Sequence, residues 1–342
     1  MRGISESMRS KATGRTTTAV GGLSLGAAAL GNLFNAISDE DAAATVEAAW
    51  DCGIRSFDTA PHYGLGLSER RLGNALRTRP RAQYSLSTKV GRLLRPCAGP
   101  HGDDLANGFA VPATHERVWD FSARGVRTSI EESLTRLGLD RVDIVYLHDP
   151  DDHEREAFDC AYPELERMRA EGTIGAIGAG MNQTAMLARF VRDTDVDVVL
   201  LAGRYSLLDQ SGLASLLPQA AQRGVSVLVG GVFNSGLLAD PKPGATFDYA
   251  PAAAHMLDRA QTLRTVCEAF EVPLRAAALQ FPFGHPAVAG VLLGARSAAE
   301  VADAAAMISH PIPPDMWLAL RSRGLLPWDV PVPAPRHDGR RR

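Results

Sequence analysis

The sequence predicts an α/β protein of the (β/α)8 barrel type, with long loops over the C-terminal face of the barrel. Short segments rich in Val, Ile and Leu alternate with helical segments about eight times, which indicates parallel βαβ units. Apolar residues at consecutive positions indicate strands that are buried on both faces. No G-x-G-x-x-G follows the first strand, and candidate chemical groups follow several strands, which favours a closed barrel over a doubly wound sheet.

Length and composition describe one ordinary globular chain. The 342 residues are 45% hydrophobic and 22% charged, and α/β barrels reach this size as single domains. A net charge of −3 predicts neither nucleic acid nor an anionic membrane as a partner. No apolar run approaches the roughly 20 residues that span a bilayer, and no apolar segment follows the N-terminal arginines as in a signal peptide. Four distant cysteines without C-x-x-C predict a reduced, cytoplasmic protein.

Three regions follow from local composition. Residues 1–16 are rich in Ser, Arg, Gly and Thr without apolar periodicity, so we expect them to be disordered. Residues 17–331 form the single barrel domain. Residues 332–342 form a flexible basic tail.

The first elements are recognised by their end signals. Leu23–Gly26 opens the first strand, and Asp39–Asp51 is a helix capped by Ser38, with acids at the positive end of its dipole. Gly53 ends this helix, and residues 54–57 are the second strand. A Pro/Gly loop then leads to a helix over 68–78, for which Ser68 is the expected N-cap.

The alternation then continues to the end of the barrel. Two long insertions interrupt it, over residues 91–119 and 234–251, and because both follow strands we expect loops over the C-terminal mouth. The expected strands are 84–88, 142–147, 173–177, 196–201, 225–229 and 287–293, and the expected helices are 122–137, 154–170, 184–192, 210–223, one within 252–270, 273–283 and one from residue 298.

Four chemical side chains follow three successive strands. Asp58 and Tyr63 come directly after the second strand, Lys89 after the third and His148 after the fourth. The carboxyl ends of parallel strands are where α/β folds hold their chemistry. The pattern therefore predicts one site built from these four residues.

The motifs around these residues resemble the aldo-keto reductases. The resemblance lies in Phe57-Asp-Thr-Ala-x-x-Tyr-Gly, Gly66-x-Ser-Glu-x-x-Leu-Gly, Ser87-Thr-Lys and Leu147-His, in that order, and it covers about residues 21–331. Within the family the chain is similar to the sugar-oxidising branch of D-threo-aldose 1-dehydrogenases, or L-fucose dehydrogenases. The resemblance implies hydride transfer between a nicotinamide cofactor and a sugar or small carbonyl compound, most of all oxidation of C1 of an aldose to the lactone.

The resemblance also assigns the four residues roles. Tyr63 would donate and accept the proton, Lys89 would lower the pKa of Tyr63 by proximity, and Asp58 would hold Lys89 as an ion pair. His148 would hydrogen-bond the reacting oxygen and orient it.

The cofactor contacts follow from the segment beyond the eighth strand. Gly294-Ala-Arg-Ser-Ala-Ala-Glu matches the part that holds the adenine half in this family, and Ser297 can cap a helix whose amides meet phosphate. Glu300 stands where several NADP-using relatives have arginine, so we expect NAD, with NADP possible because of Arg296. The complete set of expected cofactor residues is Gly26, Asp58, Asn182, Gly231, Gly294, Arg296, Ser297 and Glu300. Ala202 departs from the family pattern, and Gly230 or Gly231 stands where relatives often have an aromatic residue that stacks on the nicotinamide.

The substrate is expected to be a small sugar or aldehyde, and the oligomeric state is left open. Sugar pockets pair a flat apolar wall with a few polar groups. The residues of the insertions and of the Asp58 loop that offer such groups are His62, Trp119, Phe121, Phe233 and Asn234.

Three alternatives stay open at this stage. Lys89 could form a Schiff base in an aldolase. The barrel could be a non-catalytic nicotinamide-binding subunit. The run from His148 to His153 has metal-ligand residue types, but Pro150 breaks helical spacing, so we expect no metal.

Overall fold

The structure is a computed structural model that describes residues 11–12, 18–99 and 102–334. Its centre is a closed barrel of eight parallel strands, in which each strand pairs with the next in chain order and the last pairs with the first. The predicted (β/α)8 architecture is confirmed. We number the barrel strands in chain order: β1 Leu23–Gly26, β2 Ser56–Asp58, β3 Ser85–Val90, β4 Ile144–His148, β5 Ala176–Met181, β6 Val198–Ala202, β7 Ser226–Gly230 and β8 Val288–Gly294.

Helices surround the barrel and connect its strands. Their bounds are Asp39–Asp51, Leu67–Leu76, Ala123–Leu137, Glu154–Glu156, Tyr162–Ala170, Thr184–Asp193, Leu216–Arg223, Ala254–Glu268, Leu274–Gln280, Ala298–Met307 and Pro314–Ser322. A π-helical turn over Ala157–Ala161 interrupts what the sequence predicts as one helix over 154–170. The helix predicted over 210–223 begins at Leu216, because Ser211–Leu213 forms a separate 3-10 turn.

Two of the predicted N-caps are confirmed and one is wrong. The hydroxyl oxygens of Ser38 and Ser297 each accept the backbone N–H of the residue three positions ahead. The helix that was expected to start at Ser68 is instead preceded by Gly66, with φ of 78°, and Ser68 lies inside it, fully buried. Its hydroxyl donates to the carbonyl oxygen of Ala27 at 2.7 Å, so it ties the helix to the end of β1.

Side chains alternate between the barrel interior and the surrounding layer, as the two-residue strand period requires. In β4, Ile144 and Tyr146 belong to a small cluster inside the barrel, whereas Val145 and Leu147 pack with the helices. In β3, the neighbour of Lys89, Thr88, points outward to a helix. The alternation therefore turns Lys89 inward at the C-terminal end of its strand.

Both insertions contain short strands instead of being plain loops. In the first insertion, residues 91–119, Arg92–Pro96 pairs antiparallel with His115–Trp119, and Asp103–Asp104 pairs with Phe109–Pro112. In the second insertion, residues 234–251, Thr246–Phe247 pairs with Ala250–Pro251. Because they follow β3 and β7, both insertions stand at the C-terminal mouth of the barrel.

The predicted terminal regions fall mostly outside the described residues. Lys11–Ala12 pairs with Ala19–Val20, so these two residues of the segment expected to be disordered form a strand; residues 1–10 and 13–17 lie outside the description. Val332, at the start of the expected tail, packs against the core, and residues 335–342 lie outside the description. No described helix is both long and apolar enough to cross a bilayer.

We expect Gly73→Ala to destabilise the protein although alanine is the better helix former. A Cβ at Gly73 would lie 1.9 Å from the carbonyl oxygen of Leu137 in the neighbouring helix, so the two backbones must separate. Overpacking of this kind costs about 1–3 kcal/mol, against a gain in helix propensity of about 1 kcal/mol. Denaturant unfolding measures the difference.

The control is Gly138→Ala, where a Cβ would meet nothing within 4 Å and only the positive φ of 64° opposes the change. If Gly73→Ala raises the free energy of unfolding, the close approach of these two helices is not what glycine serves here.

Candidate active site

The four predicted side chains meet at the C-terminal mouth of the barrel. Asp58 and His148 are the last residues of β2 and β4, and Lys89 is the last residue but one of β3. Tyr63 lies in the turn between β2 and the helix Leu67–Leu76. Because β2, β3 and β4 are neighbours in the barrel, the four groups converge without any large loop movement.

A buried ion pair forms the base of the site. Lys89 Nζ lies 2.5 Å from Asp58 Oδ2, and the two side chains are 1% and 2% exposed. Lys89 Nζ also donates to the carbonyl oxygen of Thr59 at 3.0 Å, and Ser87 Oγ donates to Asp58 Oδ1 at 2.7 Å. These extra hydrogen bonds offset the cost of removing both charges from water.

Burial sets the ionisation of Tyr63. Its ring centroid lies 4.6 Å from Lys89 Nζ. Burial raises the pKa of Tyr63 to about 12, although the Lys89 ammonium opposes this rise. Lys89 lowers the pKa of Tyr63, as expected, but desolvation outweighs this effect, so the net shift is upward.

Lys89 stays protonated. Burial alone would lower its pKa, but the Asp58 carboxylate beside it and Tyr63 raise the pKa above the ordinary value. A Schiff-base lysine needs a neutral amine and a depressed pKa. The geometry thus argues against the aldolase alternative.

His148 is a neutral imidazole beside the phenol. Its ring centroid lies 5.8 Å from that of Tyr63, with the planes nearly perpendicular. Burial, followed by the charges of Arg92 and Lys89, holds the pKa of His148 well below its ordinary value. Asp149 follows it in the chain and forms an ion pair with Arg92 at 2.5 Å. His148 can therefore donate or accept a hydrogen bond without carrying charge.

The expected substrate residues are placed unequally around this mouth. His62 is half-buried, with its ring centroid 5.6 Å from that of His148. Trp119 is 42% exposed and stacks on Phe121, which is itself buried. Phe233 packs partly against the core, and Asn234 is buried at the start of the second insertion. Trp119 is thus the most exposed member of the set, His62 and Phe233 are half-buried, and Phe121 and Asn234 are buried.

The expected cofactor residues other than Asp58 lie on the rest of the mouth, at the ends of β1, β5, β7 and β8. Gly26 pairs with both Asp58 and Gly294. Asn182 follows β5 and donates to the carbonyl oxygen of Ala202 at 2.9 Å. Gly231 follows β7 and is exposed with φ of 65°.

This side of the mouth has two features that a dinucleotide can use. A Cβ at Gly294 would meet nothing within 4 Å, and Ser297 caps a ten-residue helix whose N-terminus suits a phosphate.

Asn234 donates to the carbonyl oxygen of Gly203 at 3.3 Å, but its buried Oδ1 has no partner among the described residues. A buried acceptor without a partner suits a hydrogen-bond donor of a bound ligand.

Glu300 and Arg296 neutralise each other at the surface. Arg296 Nε lies 3.2 Å from Glu300 Oε1, and the backbone N–H of Arg296 donates to Glu300 Oε2 at 3.0 Å. The side chain of Arg296 is 53% exposed and that of Glu300 is 44% exposed. The pair is weak for that reason, and either partner can turn towards a ligand.

The sequence reasoning missed the arginines that the first insertion brings to the mouth. Arg92 lies over the Trp119 ring at 4.4 Å, and Arg117 contacts His62. Residues 115–119 read His-Glu-Arg-Val-Trp, which lacks the strict alternation of a half-buried strand. No signal in the sequence therefore showed which of these side chains would reach the site.

A third missed contact joins the second insertion to the end of β6. Asp248 lies in that insertion, and its Oδ1 accepts from Arg204 Nη1 at 2.8 Å. Asp209 Oδ2 lies 3.7 Å from the same nitrogen. Arg204 follows β6 by two residues, so this pair fixes the second insertion over the end of β6.

The described residues contain no group of three or more His, Cys, Asp or Glu side chains that could hold a metal ion. The run from His148 to His153 is divided by its contacts. His148 faces Tyr63, whereas His153 packs on Trp119 with ring centroids 4.8 Å apart.

Comparison with known proteins agrees with this geometry. Residues 22–323 match the profile of the aldo/keto reductase family. The chain is 46% identical to the D-threo-aldose 1-dehydrogenase of a Pseudomonas species, covering 90% of this chain and 95% of that protein. It is 40% identical to the pyridoxal 4-dehydrogenase of Microbacterium luteolum, covering 92% and 97%. The holo form of aldo-keto reductase AKR11C1 from Bacillus halodurans superposes with a TM-score of 0.74 at 25% identity, covering 97% and 99%.

We expect the phenol of Tyr63 to remain protonated through pH 10, where an unperturbed tyrosine is half ionised. The reason is its burial, which raises its pKa to about 12. NMR of protein labelled with carbon-13 at the tyrosine Cζ measures the ionisation, and a Tyr63→Phe spectrum assigns the signal. Half-ionisation of Tyr63 at or below about pH 9 would show that Lys89 outweighs burial.

Proposed function

Because the chain belongs to the aldo/keto reductase family, we propose that it oxidises C1 of an aldose of the L-fucose or D-threo type to the lactone. It is an NAD(P)-dependent oxidoreductase. The observation that carries the proposal is the convergence of Tyr63, Lys89, Asp58 and His148 at the mouth of the barrel. The similarity to an aldose dehydrogenase over nine-tenths of the chain supports the substrate class. Neither the aldolase nor the non-catalytic alternative has such support.

Each of the four residues has a proposed task. Tyr63 donates its proton to the carbonyl oxygen during reduction, and during oxidation its phenolate, the minor form at neutral pH, accepts the proton of the C1 hydroxyl. Lys89 stabilises the phenolate, and Asp58 with Ser87 keeps the ammonium in place. His148 hydrogen-bonds the reacting oxygen and orients it towards Tyr63. The nicotinamide cofactor, when bound, accepts or supplies the hydride.

The proposed substrate contacts divide into a wall and a polar rim. Trp119 offers its exposed part to the wall, since Arg92, Phe121 and His153 already contact its ring. His62 offers a hydrogen bond close to Tyr63, with ring centroids 6.0 Å apart. Phe233 and Asn234 lie at the start of the second insertion and complete the list.

The proposed cofactor contacts follow the strand ends. The nicotinamide half would lie along four of these residues, Gly26, Asp58, Asn182 and Gly231. The adenine half would lie along the other four, Gly294, Arg296, Ser297 and Glu300. We favour NAD, because Glu300 would repel the 2′-phosphate of NADP and can accept from ribose hydroxyls. Arg296 would leave NADP usable.

A second candidate substrate is a pyridoxal-type alcohol. The exposed part of Trp119 also offers an apolar contact to an aromatic compound. The similarity to a pyridoxal dehydrogenase supports it. A screen that measures the absorbance of each nucleotide during reaction with aldoses and with pyridoxal separates the two candidates.

We place the reaction in the cytoplasm. All four cysteines are free thiols, and one of them is fully buried. Free thiols without a disulfide are typical of a reducing compartment.

We expect Tyr63→Phe to lower kcat by about 10²–10⁴-fold while nucleotide affinity stays nearly unchanged. The substitution removes the proton-transfer group but keeps the ring contacts with His148 and Phe109. Steady-state kinetics and fluorescence titration with the nucleotide measure the two effects. A residual rate above about a tenth of the wild type would contradict the role of Tyr63.

We expect the wild type to prefer NAD and Glu300→Arg to move the preference towards NADP. The Arg296–Glu300 pair is exposed, so we expect a change of about tenfold in the ratio of the two kcat/KM values. The control is Glu268→Arg, at the far end of the helix Ala254–Glu268. A wild type that prefers NADP by about tenfold would overturn the assignment of Glu300.

A further inference from the structure

Two nitrogen atoms of the Arg117 side chain donate hydrogen bonds to His62. Arg117 Nε donates to His62 Nδ1 at 2.5 Å, and Arg117 Nη2 donates to the carbonyl oxygen of His62 at 2.9 Å. A guanidinium has donors only, so Nδ1 must be the acceptor and the ring proton must lie on Nε2. Among the described residues, His62 Nε2 makes no hydrogen bond of its own.

Arg117 is fixed in turn by a carboxylate of the same insertion. Asp104 accepts from Arg117 Nη1 at 2.8 Å and from Nη2 at 2.5 Å, and Asn107 donates to Asp104 at 2.8 Å. The side chains of Arg117 and Asp104 are 11% and 4% exposed. A buried bidentate ion pair between a guanidinium and a carboxylate holds both groups in one geometry, and lysine cannot reproduce this geometry.

The environment of His62 keeps its ring neutral. Burial, followed by the charges of Arg92, Arg117 and Lys89, lowers the pKa of His62 to about 2. Its ring also faces Tyr63 and His148, with centroids 6.0 and 5.6 Å away. The free Nε2–H is therefore a hydrogen-bond donor at every working pH, on a ring that contacts the reacting groups.

We propose that Arg117 is a positioning residue that fixes His62 as an Nε2–H donor and so selects substrates with an acceptor oxygen on the carbon next to the reacting carbon. For an aldose, this oxygen is the C2 hydroxyl. The inference rests on the proposed function and names the feature of the sugar that the first insertion reads. A site built to donate to one oxygen disfavours the analogue that lacks it, because the buried donor is left unpaired.

The kinetic test compares an aldose with its 2-deoxy analogue. In Arg117→Met we expect KM for the aldose to rise more than kcat falls, and the preference for the aldose over the 2-deoxy sugar to drop by about tenfold or more. Arg117→Lys should resemble Arg117→Met, since it restores the charge but not the geometry. An unchanged preference in both variants would overturn the proposal.

The matched control is Arg95→Met. Arg95 lies in the same insertion, opposite Glu116 in the strand pairing, and forms an ion pair with Glu132 at 2.9 Å. We expect this variant to keep the wild-type preference. If Arg117→Met does not fold because Asp104 is left buried and unpaired, the double variant Arg117→Met with Asp104→Asn removes both charges and repeats the test.

A second measurement does not depend on turnover. Nitrogen-15 NMR of histidine-labelled protein should show His62 as the Nε2–H tautomer from about pH 5 to about pH 9, and Arg117→Met should lose this single tautomer. A wild-type Nδ1–H tautomer would overturn the positioning role even if aldoses are oxidised. Conversely, absence of aldose oxidation with the expected tautomer would overturn only the proposed substrate, so the two failures are distinguishable.

Discussion

The buried ion pair between Lys89 and Asp58 is the interaction on which the mouth of the barrel depends. It joins the ends of β2 and β3, and it is tolerable in a dry interior only because Ser87 and the carbonyl oxygen of Thr59 complete its hydrogen bonds. The positive charge of Lys89 then acts on the rings of Tyr63 and His148. It opposes the effect of burial on the pKa of the phenol and reinforces the effect of burial on the pKa of the imidazole.

Charges around the mouth are balanced in pairs. Three cations each have a carboxylate partner: Lys89 has Asp58, Arg92 has Asp149 and Arg117 has Asp104. The two histidines that face Tyr63 are both held neutral. A pocket with compensated charges and neutral hydrogen-bonding groups suits an uncharged substrate with many hydroxyl groups better than an anionic one.

The sequence predicts the barrel and the convergence of the candidate catalytic residues because both follow from strand ends. Asp58, Lys89 and His148 lie on or beside the last residues of neighbouring strands, so chain order alone brings them together. The position of Arg117 depends on the register of an antiparallel pair inside an insertion, for which the sequence has no clear signal. The pKa of Tyr63 could not be predicted either, because the depth of burial depends on the packing of loops.

The first insertion begins after β3 and ends before the helix Ala123–Leu137, and its two ends lie next to each other. Arg92 and Trp119 are paired, so the two ends of the excursion lie side by side whatever the residues between them do. The entropy of closing such a loop grows only slowly with its length, so a longer or shorter excursion changes the stability of the barrel little. The segment can therefore be lengthened or shortened during evolution, which changes the groups that surround Tyr63 while Asp58, Lys89 and His148 keep their places at the strand ends.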